Sequence, residues 1–176
     1  VTMGRMLTYM GFEAFDAPNM YQMTYAYDVA YATDLASASP TGLGPQDIYD
    51  SYDYGASVDY GTDAFSIGLW SSLEENAGYE VALAFTGVEN LTAKAIWSDF
   101  GDAGAYEKST FWVSYQLGST LLAAEVAESD QIDATAVDID GVMVMANYAM
   151  SDAAAITVRY SEQEISDQAG AVQYDG

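Results

Sequence analysis

The chain has no cysteine and no histidine, only three prolines, and four basic residues against 27 acidic ones. Without cysteine there are no disulfides and no thiolate metal sites. Without histidine the commonest acid–base and zinc-binding side chain is missing, and hydrolases built on a Ser–His pair are excluded. The four bases, Arg5, Lys94, Lys108 and Arg159, leave a net charge of −23. Phosphate recognition needs clustered lysine and arginine, so nucleic acid is excluded as a partner. No apolar run approaches the ~18 residues of a transmembrane helix. Runs such as Val142 to Ala146 have only the length of a strand. Disorder is excluded as well, because 51% of the residues are hydrophobic and 15 are tyrosine, whereas disordered chains combine high charge with few aromatics.

What is present is alternation. From Tyr21 to Tyr31 every odd position is large and apolar or aromatic, and every even one is small or polar. Successive side chains of a strand point to opposite faces. The segment therefore predicts a strand with one Tyr-rich face and one face carrying Gln22, Thr24 and Asp28. Its length suits a transmembrane strand, which needs roughly 9–11 residues, better than a soluble strand of about 5–6. Tyrosine near both ends fits two interfacial girdles.

The same pattern predicts about ten strands in all: 1–8, 21–31, 52–60, 64–73, 79–85, 91–98, 109–117, 120–128, 139–148 and 154–161. Connections at 61–63, 87–90, 118–119 and 150–153 are short. Those at 34–51, 99–108, 129–137 and 162–171 are longer and acidic, and only 74–78 breaks the rhythm. Tight turns at one end and long loops at the other are the layout of an outer-membrane barrel, whereas Greek-key sandwiches do not sort connection length in this way. The expected fold is an all-β, antiparallel, up-and-down transmembrane β-barrel, one domain over 1–176. Val1 opens directly into strand-like sequence without a basic and apolar leader, and the chain ends after a loop. It is therefore expected to be a piece of a larger barrel, truncated at both ends.

Alternation assigns Asp28, Asp53, Asp59, Glu80, Lys94, Glu125 and Arg159 to the lumen, with Arg5 also placed among the pore-lining residues; nearly all other acids fall in loops. A water-filled lumen with more carboxylates than cations enriches cations. The chain is thus expected to be a porin for passive, cation-preferring diffusion of ions and small polar solutes, and not an enzyme. No cofactor is expected beyond weak divalent-cation binding by the acidic loops, bridging lipopolysaccharide or neighbouring chains. Asp138-Ile139-Asp140-Gly141 fails as a calcium loop, since Ala136 and Asn147 stand where ligands belong.

The segment 11–19 joins two strands yet carries Phe12, Phe15, Glu13, Asp16 and Pro18. It either folds into the lumen, placing Glu13 and Asp16 at a constriction, or packs its two phenylalanines on the rim. Connection parity favours the rim. Gly4-Arg5 in an opening strand, Gly11-Phe12-Glu13, Asp16-Ala17-Pro18-Asn19 and the tyrosine-rich stretch together resemble the OmpL-like β-barrel porins of Gram-negative bacteria. The match covers about the first 33 residues, with Phe12 where tyrosine is usual. The resemblance implies an outer-membrane location, lipid and lipopolysaccharide as surroundings, and small solutes as cargo. General porins commonly form homotrimers, although no stretch here marks a subunit interface. Two other readings stay open: a non-conducting structural or adhesive barrel, and a soluble, secreted acidic β-protein.

Overall fold

A computed structural model describes residues 1–13, 20–22, 26–27, 48, 52–73, 78–100, 106–131, 137–167 and 172–175. All its regular elements are strands: β1 (Thr2–Met6), β2 (Asp53–Gly61), β3 (Phe65–Ser72), β4 (Tyr79–Val88), β5 (Leu91–Phe100), β6 (Tyr106–Leu117), β7 (Thr120–Gln131), β8 (Val137–Ser151), β9 (Ala154–Asp167) and β10 (Val172–Asp175). They form one ten-stranded sheet in sequence order, and every neighbouring pair is antiparallel. This is an up-and-down meander. Its edges, β1 and β10, are not paired with each other.

Turn chemistry sets the registers. Gly118 takes φ 58° in the two-residue turn between β6 and β7, a backbone that glycine adopts without steric cost. Asn90 does the same at φ 64° between β4 and β5, asparagine being among the few side-chain-bearing residues that tolerate this region.

The ladder is sheared. Phe65, the first residue of β3, is followed across the sheet by Phe85, Ala93, Val113, Ala124, Val144 and Tyr160. Tyr160 lies six residues beyond Ala154, where β9 begins. Six residues over six inter-strand steps is a rise of ~20 Å over ~29 Å, so the line of turns runs at about 35° to the ladder.

Nine of the expected strands are present, and one differs. Tyr21, Gln22, Ala26 and Tyr27 are not in a strand; Ala26 and Tyr27 are instead buried against the inner face of the sheet. Ala26 and Tyr27, neighbours that a strand would send to opposite faces, are both buried there, so the expected two-faced strand is not what these residues form. The remaining positions of 21–31, Asp28 among them, lie outside the described residues. A short strand not expected from sequence, β10, pairs with β9.

The long-loop ends also differ. β6 starts at Tyr106, β7 runs to Gln131, β8 starts at Val137 and β9 runs to Asp167. Residues read as acidic loop are strand, and their carboxylates alternate on it. Charge at alternate positions is compatible with a ladder when one face is wet, and β-propensity does not register this.

Candidate functional site: the inner face and its inserted segment

The two faces of the sheet differ in kind. Outward positions of β2–β9 are apolar and exposed through much of their length, among them Val58, Leu69, Leu83, Phe111, Val126, Val144 and Val158. Towards the long-loop end the same face turns acidic, with Asp99, Glu107, Glu128, Asp130, Asp138, Asp140, Glu162 and Glu164. Several stand directly opposite one another, in the row Asp99–Glu107–Asp130–Asp138 and the row Glu128–Asp140–Glu164. Like charges in register destabilise a sheet unless solvent screens them, so this end belongs in water. Among the described residues, no group of three or more acidic side chains is placed to hold a metal ion.

The inner face carries the predicted charges and is covered by chain. After β1 the backbone leaves the sheet and crosses its inner face. Thr8 Oγ1 and Tyr9 N donate to the two oxygens of Glu80 on β4, at 2.5 and 2.7 Å. The Tyr9 hydroxyl donates to Asp59 on β2 at 2.6 Å. Met10 packs with Ala82 and Ile96. Phe12 N donates to Glu125 on β7 at 2.6 Å, and the Phe12 ring meets Trp112 edge-on and stacks on Tyr21. Glu13 pairs with Arg159 on β9 and accepts from Tyr21 N at 3.3 Å. Thr157 then donates to the Tyr21 carbonyl at 3.1 Å.

Six residues, Thr8–Glu13, thus reach from β2 to β9. Fully extended they cover at most ~20 Å, against ~34 Å for seven steps of a flat sheet. Long side chains and curvature of the sheet make up the difference.

Burial along this face is deep. Glu80 and Glu125 are 1% and 2% exposed, and Lys108 is 4% exposed. Buried carboxylates are tolerated only when charge-assisted bonds replace their water. The backbone N–H groups of Tyr9 and Phe12 supply part of that replacement. Lys94 points inward too, donating to the Tyr9 carbonyl at 3.4 Å and lying 5.1 Å from the Tyr9 ring centroid. Asp53 and Asp59 share the inner face of β2; Asp53 accepts from Tyr54 N, and Asp59 from Ser57 as well as Tyr9.

Of the expected pore-lining set, Asp53, Asp59, Glu80, Lys94, Glu125 and Arg159 lie on one face. Arg5 does not. It stands opposite Tyr54 in the β1–β2 register and stacks over Tyr52 at 5.5 Å, on the outward face. Pairing with β2, and not the weak alternation of β1, fixes its direction. Asp28 and Asp16 lie outside the described residues. Glu13 is brought to the interior, and the described part of 11–19 folds inward, against the parity argument for the rim. Lys108 is a buried, inward-facing charge that sequence reasoning missed. Extending the alternation of Thr110 and Trp112 two residues back would have found it.

At the β7–β9 side the covering is apolar: Ala26, Tyr27 and Ile48 bury Ala123, Ala127, Ile139, Met143, Met145 and Ile165. Gly141 makes room, since a Cβ there would come within 2.7 Å of the Tyr27 ring. Compared with known proteins, the chain matches no family model, no curated sequence and no solved structure.

Proposed function

We propose that this chain is a membrane-spanning β-barrel of the outer-membrane type, part or all of a porin whose lumen is constricted by Thr8–Glu13 and prefers cations. The observation that carries this reading is the angle of the apolar band. The last aromatic outward residue before the acidic end is Tyr79 on β4 and Tyr160 on β9. The ladder row of Tyr79 passes Asp99, Glu107, Asp130 and Asp138 and arrives at Ser166, six residues beyond Tyr160. The apolar boundary therefore shifts ~20 Å over five steps of ~4.8 Å, an obliquity of about 40°. A flat bilayer surface cuts strands at this slant when they tilt 35–45°, as membrane barrels do. A soluble barrel can be sheared by a similar angle, but it does not turn an apolar band of this extent towards water.

Two further features support the reading. Tyr79, Trp97 and Tyr160 lie on the acidic side of the outward band, and Tyr60, Phe65, Phe85 and Tyr148 lie on its turn side, as interfacial girdles require. Inside, Glu13, Asp53, Asp59, Glu80 and Glu125 face Lys94, Lys108 and Arg159, five carboxylates against three cations among the described residues. That excess favours cations in a narrow path. The resemblance of the first 33 residues to OmpL-like porins agrees with this.

The apolar cluster beneath Tyr27 and Ile48 favours a second reading, a barrel that spans the membrane without conducting. Single-channel reversal potential in a planar bilayer under a KCl gradient separates the two. A steady conductance preferring K⁺ supports the porin. Preference for Cl⁻ overturns the acidic lumen, and an inserted protein without conductance favours the structural barrel.

A further inference from the structure

We propose that Thr8–Glu13 is a removable cover over the ion path of this channel, and that the path's wall is made by Glu80, Ser98, Lys108, Thr110, Trp112 and Glu125. The inference rests on the channel reading above and adds where the ions pass and what closes the passage.

The wall is polar beside the cover's anchors on Glu80 and Glu125. Glu80, Ser98, Lys108 and Ser129 follow one another across β4–β7 in a single register row. Thr110 is the next inward residue on β6 after Lys108, and Trp112, opposite Glu125, is the one after that. The hydroxyls of Ser98 and Thr110 and the indole nitrogen of Trp112 are buried without a hydrogen-bond partner. Unpaired buried polar groups are costly, and a surface meant for permanent covering is made apolar. That is how the neighbouring wall is built, where Ala123, Ala127, Ile139 and Met143 lie beneath Tyr27 and Ile48. One inner face thus carries two kinds of wall. The apolar one suits a fixed lining, and the polar one holds buried groups that water reaching this wall would satisfy.

The cover's attachments are of a kind that water can exchange. Its described polar bonds to the sheet's acids end on the side-chain carboxylates of Asp59, Glu80 and Glu125. Its far end is held by the ion pair of Glu13 with Arg159. Lifting the segment returns these carboxylates to solvent along the wall, where they attract cations. Its described apolar seats are the small cluster of Met10 with Ala82 and Ile96, flanked by Tyr9 and Trp112, and the Phe12 ring, which meets Trp112 edge-on and packs against the neighbouring apolar cluster.

The native chain has no cysteine, so single thiols report directly. Ser98→Cys, Thr110→Cys and, on the outward face, Ala95→Cys are made in the full chain, inserted in a planar bilayer or liposomes. Each is treated with a small methanethiosulfonate carrying a trimethylammonium group. The expected result is that Ser98→Cys and Thr110→Cys react and lose conductance, while Ala95→Cys stays silent. Adding Glu13→Gln, which loosens the far end of the cover, should speed the reaction at residue 98 by about tenfold or more.

Silence at 98 and 110 in both backgrounds, with Ala95→Cys also silent, overturns the removable cover and leaves the membrane barrel standing. An equal rate with and without Glu13→Gln overturns the assignment of Thr8–Glu13 as that cover. Reaction without loss of conductance overturns the assignment of this wall as the ion path. Reaction of Ala95→Cys in the inserted protein overturns the channel reading itself.

Discussion

Glu13 in the inserted segment and Arg159 on β9 are ion-paired across 146 positions of sequence, with side chains 2% and 6% exposed. Such a pair fixes where the segment ends on the sheet. Removing Arg159 leaves the Glu13 charge buried with the Tyr21 N–H as its described donor, at a cost of about 3–5 kcal/mol. Arg159→Met is therefore expected to lower the urea midpoint of unfolding sharply. Combined with Glu13→Gln it should recover much of the loss, because no charge is then stranded. A double-mutant cycle on the folded, detergent-solubilised protein measures the coupling. Equal losses in the single and double variants would assign the effect to packing alone.

Much of this fold was legible in the residues. Period-two alternation located nine strands, and Gly118-Ser119 located a turn, because both are local properties of the backbone. The direction of Asp59, Glu80, Lys94, Glu125 and Arg159 followed from the same parity. What alternation could not say is which surface a greasy face meets. Tyr27 lies against Gly141 and Ile48, a contact set by tertiary packing and not by its own neighbours. Strand ends were misjudged for a related reason. Asp99, Glu107, Asp130, Glu162 and Glu164 look like loop when polarity is taken as a sign of turns, whereas every second residue of the same stretches still points inward. The inserted segment was ambiguous because its partners, Glu80, Glu125 and Arg159, are far away in sequence.

Gly141 tests the interior cluster. A Cβ there would lie 2.7 Å from Tyr27 ring atoms and 2.8 Å from Ile48 Cδ1, closer than packed atoms come. Gly141→Ala is expected to destabilise by roughly 1–3 kcal/mol, the usual range for overpacking. Gly141→Ala with Tyr27→Leu should regain part of that loss, since the shorter side chain vacates the contact. The comparison is read as the temperature at which folded protein converts to the unfolded band in semi-native electrophoresis. Tyr27→Asp, on the same geometry, is expected to disrupt this cluster from within and not the contact with lipid.

Tyr9 offers a pH signature. Burial, together with the hydrogen bond its hydroxyl gives to Asp59, pushes the phenol up to about 12 from the ordinary 10.0. A raised acid pKa means that the folded state holds its proton longer than the unfolded chain does. The stability linked to Tyr9 is therefore complete below pH ~10 and is lost as pH rises through about 12. Near-ultraviolet absorbance titration should show a late-ionising tyrosine that disappears in Tyr9→Phe and moves to lower pH in Asp59→Asn. An unchanged late step in Tyr9→Phe would assign the signal to another of the tyrosines.

The outward face separates a membrane barrel from a soluble sheet. Val144 on β8 lies in the apolar band, four residues from Asp140 on the same face, and is 47% exposed. If that face meets hydrocarbon, Val144→Arg places a charge in lipid at a cost of about 2–4 kcal/mol. Glu164→Arg, beyond the band and opposite Asp140, should cost nothing and gain a little by relieving like-charge repulsion. In water the two substitutions would differ little, because surface changes are usually within about 0.5 kcal/mol. The measurement is folding yield into lipid vesicles alongside monodispersity without detergent. A large loss for Val144→Arg with normal yield for Glu164→Arg places the band in the bilayer. Equal yields, together with a monodisperse protein in plain buffer, would return the chain to the class of soluble acidic β-proteins, because the slanted apolar boundary would then have no hydrocarbon to match.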